Sequence, residues 1–351
     1  MTQWVALSDR ATPLDGAAGL SLLSKASLVL EFELPLQGST ILLDFKSDDA
    51  WPRTLSIFVD EAAGVVVLHR QAERLLRHSL PGPLGLPSVG VARISFSWDA
   101  PNKSWTLALD LPGQGEGRST RGRNPMPLMM DDILQICAGS DRARRHKSVL
   151  WFGVTEGSTL PERAPWIGLT TPIETAGGPC AAGNLRPGDL LLTESGDYAC
   201  LRSLRRMDLP SRGSFSPVML RAPYFGVETD ILVSSDQLIA LSGDEVEYLF
   251  WDETVLTEAR HVTDGRAAMM DLRRAVTACI SLDIGPPQLI RADDCRLLTH
   301  NHLRGFGQAT GQGTGQATGW DAATLPHKVI MGYETIPLLD MLGRTGRRTA
   351  A

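Results

Sequence analysis

The chain has 351 residues, 43% of them hydrophobic and 21% charged, with a formal net charge of −6 at pH 7. This length predicts about two domains with substantial hydrophobic cores, and the negative charge argues against a dedicated nucleic-acid-binding protein. The five cysteines are scattered and include no Cys-x-x-Cys pair, which argues against a disulfide framework and against a zinc site.

Hydropathy indicates neither a membrane span nor a classical secretory signal. No stretch approaches roughly 18 uninterrupted apolar residues, and the first 20 residues lack a basic region followed by an apolar run. We therefore expect a soluble protein with no membrane partner. Its location is expected to be cytoplasmic, or extracellular by a route without a classical signal peptide.

Short β-branched, aromatic and leucine-rich runs dominate the first 155 residues, and turn residues separate them. The segment WDAPNKSW at 98–105 predicts a hairpin loop between two antiparallel strands. Helical periodicity is short, and QAERLLRHSL at 71–80 and MDDILQICAG at 130–139 are at most brief helical turns. This pattern predicts a β-sandwich of the jelly-roll type.

The second half is again rich in predicted strands, among them VEYLF at 246–250. Two of its segments are interpreted as helical, ETVLTEARHVTDG at 253–265 and AAMMDLRRAV at 267–276. The predicted fold class is thus all-β with a few short helices.

Four stretches of the second half occur in an order that is typical of one family. They are TPIETAGGPCAAGNLRPGDLLLTESGD at 171–197, FSPVMLRAPYFG at 215–226, ILVSSDQLIAL at 231–241 and ETVLTEARHVTDG at 253–265. Together they resemble the Hint (Hedgehog/intein) family, specifically its bacterial Hint-domain proteins, over about residues 165–300. The resemblance implies a β horseshoe in which Pro187, Gly188 and Asp189 form the corner before its second strand.

The strand pattern, the composition and the Hint resemblance together divide the chain into five parts. A lectin-like β-sandwich covers 1–155, a linker 156–165 and a Hint-like domain 166–302. A Gly/Gln/Thr-rich linker follows at 303–320, and a tail with a short helix around IPLLDML covers 321–351.

Hint domains cleave their own chain by an N–S or N–O acyl shift, which implies a Cys, Ser or Thr at the start of the first strand. The corresponding position here is near Trp166, whose side chain is not a nucleophile. Thr170 and Thr171 lie a few residues too late in the chain, and Cys180 lies so close to Gly188 that no room remains for the first strand. These three are the alternative nucleophiles.

The family's Thr-x-x-His motif corresponds to Ser234 and Gln237. Ser234 keeps a hydroxyl, but the Gln237 amide cannot act as a general acid. The pair His300-Asn301 is similar to the residues that end inteins, yet His302 follows where an intein needs Cys, Ser or Thr. His261 is interpreted as a residue at a helix C-terminus that satisfies backbone carbonyls.

The first half resembles, loosely, the concanavalin-type lectin and laminin-G jelly rolls. Such sheets often present aromatic side chains to sugars, and the candidates are Trp51, Trp98, Trp105 and Trp151, although strand tryptophans are more often core residues. No metal site and no cofactor are expected, and the ligand-binding residues are unknown.

The sequence leaves three alternative functions open. The first is a catalytically degenerate binding or structural module, with a carbohydrate or a protein left open as its ligand. The second is self-cleavage through an unusual nucleophile, and the third is carbohydrate binding by the N-terminal sandwich. Whether the chain is an enzyme is left open, and the sequence favours a loss of self-processing activity.

Overall fold

The computed structural model describes residues 3–14, 17, 19–112, 117–157, 164–302 and 325–345. The chain divides into two compact units, Met1–Pro161 and Glu162–Ala351. Both consist mainly of antiparallel strands, so the predicted all-β class is confirmed. None of the described helices is long and apolar enough to cross a membrane.

The first unit contains thirteen described strands and one described helix. In chain order they are β1 (Gln3–Leu7), β2 (Leu22–Leu23), β3 (Lys25–Leu34), β4 (Thr40–Ser47), β5 (Arg53–Asp60), β6 (Gly64–Gln71), β7 (Arg74–Pro81), β8 (Gly90–Asp99), β9 (Ser104–Asp110), β10 (Arg118–Arg123), β11 (Leu128–Met129), α1 (Met130–Ala138), β12 (Ala143–Arg145) and β13 (Val149–Glu156).

These strands form a sandwich of two sheets. One sheet has the order β1-β13-β3-β8-β9-β10 and the other β12-β4-β5-β6-β7, and β2 pairs with β11. Alternation along β3 turns Ala26, Leu28, Leu30 and Phe32 into the shared core. The N-terminal β-sandwich predicted from the alternating runs is therefore confirmed.

Two local predictions in this unit have opposite outcomes. The hairpin at 98–105 is confirmed, because Asp99 pairs with Ser104 across a turn that Lys103 completes at φ 53°. The helical turn predicted at 71–80 is wrong, because Arg74–Pro81 is the strand β7. Ala72 reverses the chain there at φ 50°, after which β7 pairs with β6.

The second unit contains fifteen described strands and two described α-helices. In chain order they are β14 (Ile167–Gly168), β15 (Pro172–Ile173), β16 (Cys180–Ala181), β17 (Leu190–Leu192), β18 (Tyr198–Cys200), β19 (Ser203–Pro210), β20 (Pro217–Leu220), β21 (Ile231–Ser234), β22 (Leu238–Ser242), α2 (Asp244–Phe250), β23 (Thr254–Glu258), β24 (Ala268–Met270), β25 (Val276–Asp283), β26 (Leu289–Ala292), β27 (Cys295–Leu298), β28 (Lys328–Val329) and α3 (Gly332–Thr345). Four 3₁₀ turns accompany them at Ala182–Asn184, Gly213–Phe215, Tyr224–Gly226 and Ala259–Val262.

Two larger sheets enclose the core of this unit. Their strand orders are β19-β25-β14-β21-β20-β24 and β26-β27-β22-β23-β28, and two hairpins, β15–β16 and β17–β18, complete the strands. The turn at 187–189 lies directly before β17. Gly188 adopts φ 101° and its amide bonds to the Leu201 carbonyl, while the Asp189 carboxylate accepts the Arg186 amide at 2.8 Å.

Three secondary-structure predictions in this unit are wrong. The run 246–250 belongs to the helix α2, whose first turn carries three acidic residues that favour a helix N-terminus. Conversely, 253–265 contains the strand β23, and 267–276 contains the short strand β24. Four of the five residues of β23 are buried, so the period-2 alternation that marks a half-exposed strand is missing.

Candidate functional site

The peptide bond between Pro165 and Trp166 lies at the entrance to the short strand β14. Ile167 pairs with Val233 of β21 on one side and with Ile280 of β25 on the other. Hydrogen bonds on both sides therefore fix the backbone that follows this peptide bond.

Ser234 holds the Trp166 end of that peptide bond. The backbone amide of Trp166 donates to the Ser234 Oγ at 3.2 Å, and the Ser234 amide donates to the Trp166 carbonyl at 2.9 Å. Both residues are buried, with 3% of each side chain exposed. The Ser234 hydroxyl thus accepts the N–H of the peptide bond at the position where the sequence predicts the nucleophile.

Gln237 lies at the same cavity as Pro165 and Trp166, and its amide nitrogen forms two structural hydrogen bonds. Its Nε2 donates to the carbonyls of Leu238 at 2.9 Å and Leu298 at 2.8 Å. The side chain is 2% exposed. The Gln237 amide therefore connects β22 to the end of β27. An amide N–H is not acidic enough to protonate the nitrogen of a departing amine.

A cavity of about 10 Å³ lies between these elements, roughly the smallest volume that holds one water molecule. Polar and aromatic side chains at its wall are Trp166, Gln237, Thr299 and His300, and aliphatic side chains supply most of the rest.

His300 is the titratable group at this cavity. Burial lowers its pKa to about 4, and the neighbouring His302 adds to that effect. At pH 7 a group with this pKa is protonated in about one molecule in a thousand. His300 is therefore neutral under ordinary conditions and poorly suited to protonate an amide nitrogen.

His302 and its neighbours form a second polar group at the end of β25. Its Nδ1 lies 2.9 Å from the Ser203 Oγ and its Nε2 3.1 Å from the Ser281 Oγ, while its backbone amide donates to Asp283. Burial lowers the pKa of His302, and the nearby Arg205 adds to the decrease. These contacts fix the backbone directly after Asn301, which is half-buried.

The three alternative nucleophiles lie elsewhere. Thr170 is exposed in the turn after β14, and Thr171 is fully buried with no hydrogen-bond partner for its Oγ1 among the described residues. Cys180 is half-buried in a hairpin opposite Ile173. None of the three is among the described residues that line the cavity.

His261 occupies the 3₁₀ turn Ala259–Val262. Its Nε2 accepts a hydrogen bond from the Arg260 Nε at 3.4 Å, and burial, assisted by the Arg260 charge, lowers its pKa to about 4. His261 therefore lies at the end of a 3₁₀ turn that follows the strand β23, and not at the end of an α-helix.

The tryptophans considered as a sugar-binding surface do not share an exposed face. Trp98 and Trp151 are buried, and their Nε1 groups donate to the Leu23 carbonyl and to the Glu31 carboxylate. Trp51 is exposed and Trp105 half-exposed. Among the described residues, no group of three or more His, Cys, Asp or Glu side chains is arranged to hold a metal ion.

Two polar groups at the site were not deduced from the sequence. Thr299 lies at the cavity wall and bonds to Gln288, and Asp283 accepts the backbone amide of His302. Neither belongs to a stretch that carried the family resemblance. The pairing of β25 with β19 places Asp283, and the pairing of β27 with β26 places Thr299.

Comparison with known proteins supports the resemblance found in the second half of the chain. Residues 169–297 match the family model described as Hint domain. No curated protein matches the chain.

Two solved structures show weaker similarity. The gp41-1 intein is 16% identical with a TM-score of 0.26, and the match covers 40% of this chain and 100% of that one. The Ruminococcus gnavus IT-sialidase CBM40 is 14% identical with a TM-score of 0.31, covering 45% of this chain and 89% of that one. TM-scores this low give no information on function. The family match and the order of the motifs nevertheless agree, and the C-terminal half of this chain contains a Hint-like domain.

Proposed function

We propose that the Hint-like domain, taken as residues 166–302, is a catalytically inactive scaffold and that the intact chain is a binding or structural protein. The observation that carries this proposal is the hydrogen bond between the Trp166 amide and the Ser234 hydroxyl. It lies at the peptide bond where an acyl shift would begin, and the side chain at that bond is an indole.

An acyl shift at this bond requires a nucleophile that attacks the carbonyl carbon of Pro165 and an acid that protonates the Trp166 nitrogen. The indole has no nucleophilic oxygen or sulfur, and the Gln237 amide donates to two backbone carbonyls. His300, neutral at pH 7, does not replace the missing acid. Loss of the acid alone reduces such a rate by about 10²–10⁴-fold, and loss of the nucleophile removes the route.

Intact-mass spectrometry of the full chain tests this proposal. The purified protein is measured before and after overnight incubation with dithiothreitol or hydroxylamine, which intercept a thioester or an ester. We expect one mass, equal to that of the full chain, under every condition. Two fragments that meet at residues 165 and 166 would contradict the proposal, and a junction before Cys180 would instead identify Cys180 as the nucleophile.

A series of variants separates the two missing functions. Gln237→His and Trp166→Cys, each alone, are expected to leave the chain intact, because each restores only one of the two groups. The double variant is expected to release fragments with dithiothreitol if the scaffold still positions the bond. A thermal unfolding scan accompanies each variant, since truncating the buried Trp166 side chain costs about 3–5 kcal/mol of stability.

A further inference from the structure

Exposed arginines line two edge strands of the N-terminal sandwich. The strand β7 ends the five-stranded sheet, and β10 ends the six-stranded sheet. Arg74 and Arg77 of β7 and Arg118, Arg121 and Arg123 of β10 are all exposed. These five residues are called the arginine strip below.

The two strands run side by side in opposite directions. At one end, the Arg74 Nη2 donates to the carbonyl of Asn124, the residue directly after β10, at 3.4 Å. At the other end, the Arg118 Nη2 donates to the carbonyl of Pro81, the last residue of β7, at 3.2 Å. Arg118 lies on the face of β10 that pairs with the core residue Leu109, whereas Arg121 and Arg123 lie on the opposite, outer face.

The positive charge of the arginine strip is not neutralised by described carboxylates. No arginine of the strip forms an ion pair with a described Asp or Glu, whereas Arg53, Arg93 and Arg142 in the same unit all do. Of the nearby carboxylates, Glu73 is exposed in the turn before β7, and Asp110 faces Arg93 at 3.6 Å. A cationic surface on a chain of net charge −6 is a local feature that attracts anions.

The outer face of β9 and β10 combines guanidinium with hydroxyl groups. Arg121 pairs with Thr106 and Arg123 with Ser104 across the two strands, so each arginine has a hydroxyl side chain beside it on the same face. The one tryptophan of β9, Trp105, pairs with Gly122 and lies on the opposite face, against the core.

We propose that Arg121 and Arg123 of the arginine strip bind an acidic polysaccharide, carboxylated or sulfated, on the outer face of β10. Arg121 and Arg123 are two residues apart on one face, hence about 7 Å from each other, and guanidinium groups bind carboxylate and sulfate through paired hydrogen bonds. The adjacent hydroxyl groups suit sugar hydroxyls. Single-stranded nucleic acid is less suited, because such sites depend on exposed aromatic rings that stack on bases, and the described outer face of β9 and β10 has none.

This inference goes beyond the proposed function and concerns a different part of the chain. It does not require the bond between Pro165 and Trp166 to be intact or broken. Failure of binding and detection of cleavage are therefore separate results, one from a binding assay and the other from a mass spectrum.

The test measures binding of the full chain by isothermal titration calorimetry in 0.15 M NaCl. The probes are polygalacturonate, heparin, uncharged dextran, single-stranded oligo-dT and vesicles of phosphatidylcholine with phosphatidylglycerol. We expect binding of polygalacturonate or heparin, no binding of dextran, and weaker or absent binding of the DNA and the vesicles.

Two matched double variants locate the site. Arg121→Ser with Arg123→Ser is expected to weaken binding by about tenfold or more, equivalent to about 1.4 kcal/mol. Arg144→Ser with Lys147→Ser removes the same charge from exposed positions at the β12 end of the other sheet, and is expected to change affinity less than about twofold. If the first double variant unfolds at a lower temperature than the native chain, Arg121→Gln with Arg123→Gln takes its place with the same expectation.

Three outcomes would overturn the proposal. The first is no binding of either acidic polysaccharide, which would leave the arginines only the role of preventing edge-to-edge association. The second is an equal loss of affinity in both double variants, which would show that binding depends on the net charge of the chain and not on the site. The third is tighter binding of oligo-dT or of the vesicles than of the polysaccharides.

Discussion

At the scale of single residues, His78 is a buried titratable side chain of the first unit. It is 2% exposed, and its ring centroid lies 4.8 Å from that of Phe96 and 4.7 Å from that of Trp105. Neither ring nitrogen has a hydrogen-bond partner among the described residues. His69, on the neighbouring strand β6, and Arg74 beyond it are the charged or titratable groups on that side.

The sandwich is expected to lose stability as the pH falls from about 6.5 towards 4. Burial lowers the pKa of His78 to about 4 in the folded chain, whereas an unfolded histidine titrates near 6.5. Between these values the unfolded state binds more protons, so the free energy of unfolding decreases as the pH decreases. Thermal unfolding followed by tryptophan fluorescence at pH 7.5, 6, 5 and 4.2 measures this decrease.

His78→Leu removes the titrating group and keeps an apolar side chain in its place. The variant is expected to show a smaller decrease in unfolding temperature between pH 7.5 and 4.2 than the native chain. If the unfolding temperature of the variant decreases with pH as much as that of the native chain, other groups cause the loss of stability in acid. His69→Leu serves as the companion variant, because burial lowers the pKa of His69 to about 4 as well.

The sequence predicted the candidate site only as far as residue types and their order go. From the motifs it suggested a nucleophile position near Trp166 and the position of the acid at Gln237, and both assignments stay predictions. It did not predict that Gln237 donates to the Leu298 carbonyl, because these two residues are 61 positions apart. Such contacts depend on the pairing of β22 with β27, which local sequence does not specify.

At the scale of elements, the C-terminal tail is a structural part of the second unit. The strand β28 pairs in parallel with β23, and the Ile330 amide donates to the Leu256 carbonyl. In the helix α3 that follows, Leu338 is fully buried in the core and the Thr335 hydroxyl bonds to that of Thr257 at 3.0 Å. The short amphipathic helix predicted around IPLLDML thus lies within α3.

Leu338→Ala is expected to destabilise the second unit by about 3 kcal/mol, because it removes buried methyl groups and leaves a cavity. Ile336→Ala on the same helix is the control, since Ile336 is 61% exposed and its truncation should cost less than about 0.5 kcal/mol. Urea unfolding followed by circular dichroism compares the two. Similar values for both variants would mean that α3 does not contribute to the core in solution.

Strands were easier to predict than helices for a physical reason. The sandwich strands have one buried and one more polar face, which produces the alternation that sequence analysis detects. The largely buried strand β23 and the seven-residue helix α2 lack a distinctive period, and both were assigned to the wrong class. The predicted linker 303–320 falls on residues 303–324, outside the described part of the chain.

At the scale of the whole molecule, charge and thiols are distributed unevenly. The sequence showed basic runs at 141–147 and 344–348 but not the arginine strip, because its two strands are about 40 positions apart in the chain and meet only in the folded sandwich. Of the five cysteines, Cys137, Cys279 and Cys295 are buried, and burial raises the pKa of each thiol.

Thiol accessibility is therefore expected to follow burial. In the native chain, Ellman's reagent should react quickly with the exposed Cys200 and more slowly with the half-buried Cys180, while all five thiols react in 6 M guanidinium chloride. Cys200→Ser should remove the fast phase. Rapid reaction of three or more thiols in the native chain would show that the buried cysteines are accessible in solution.

The position of β14 has a consequence for dissecting the protein into fragments. The family match begins at residue 169, directly after Gly168, yet β14 is the strand that joins β21 to β25 in the middle of the six-stranded sheet. A fragment trimmed to the matched residues loses that central strand and also β28, which covers the outer edge of β23. It therefore exposes unpaired backbone in both sheets, so the smallest independently folding piece of this half extends from before Trp166 to beyond Leu338.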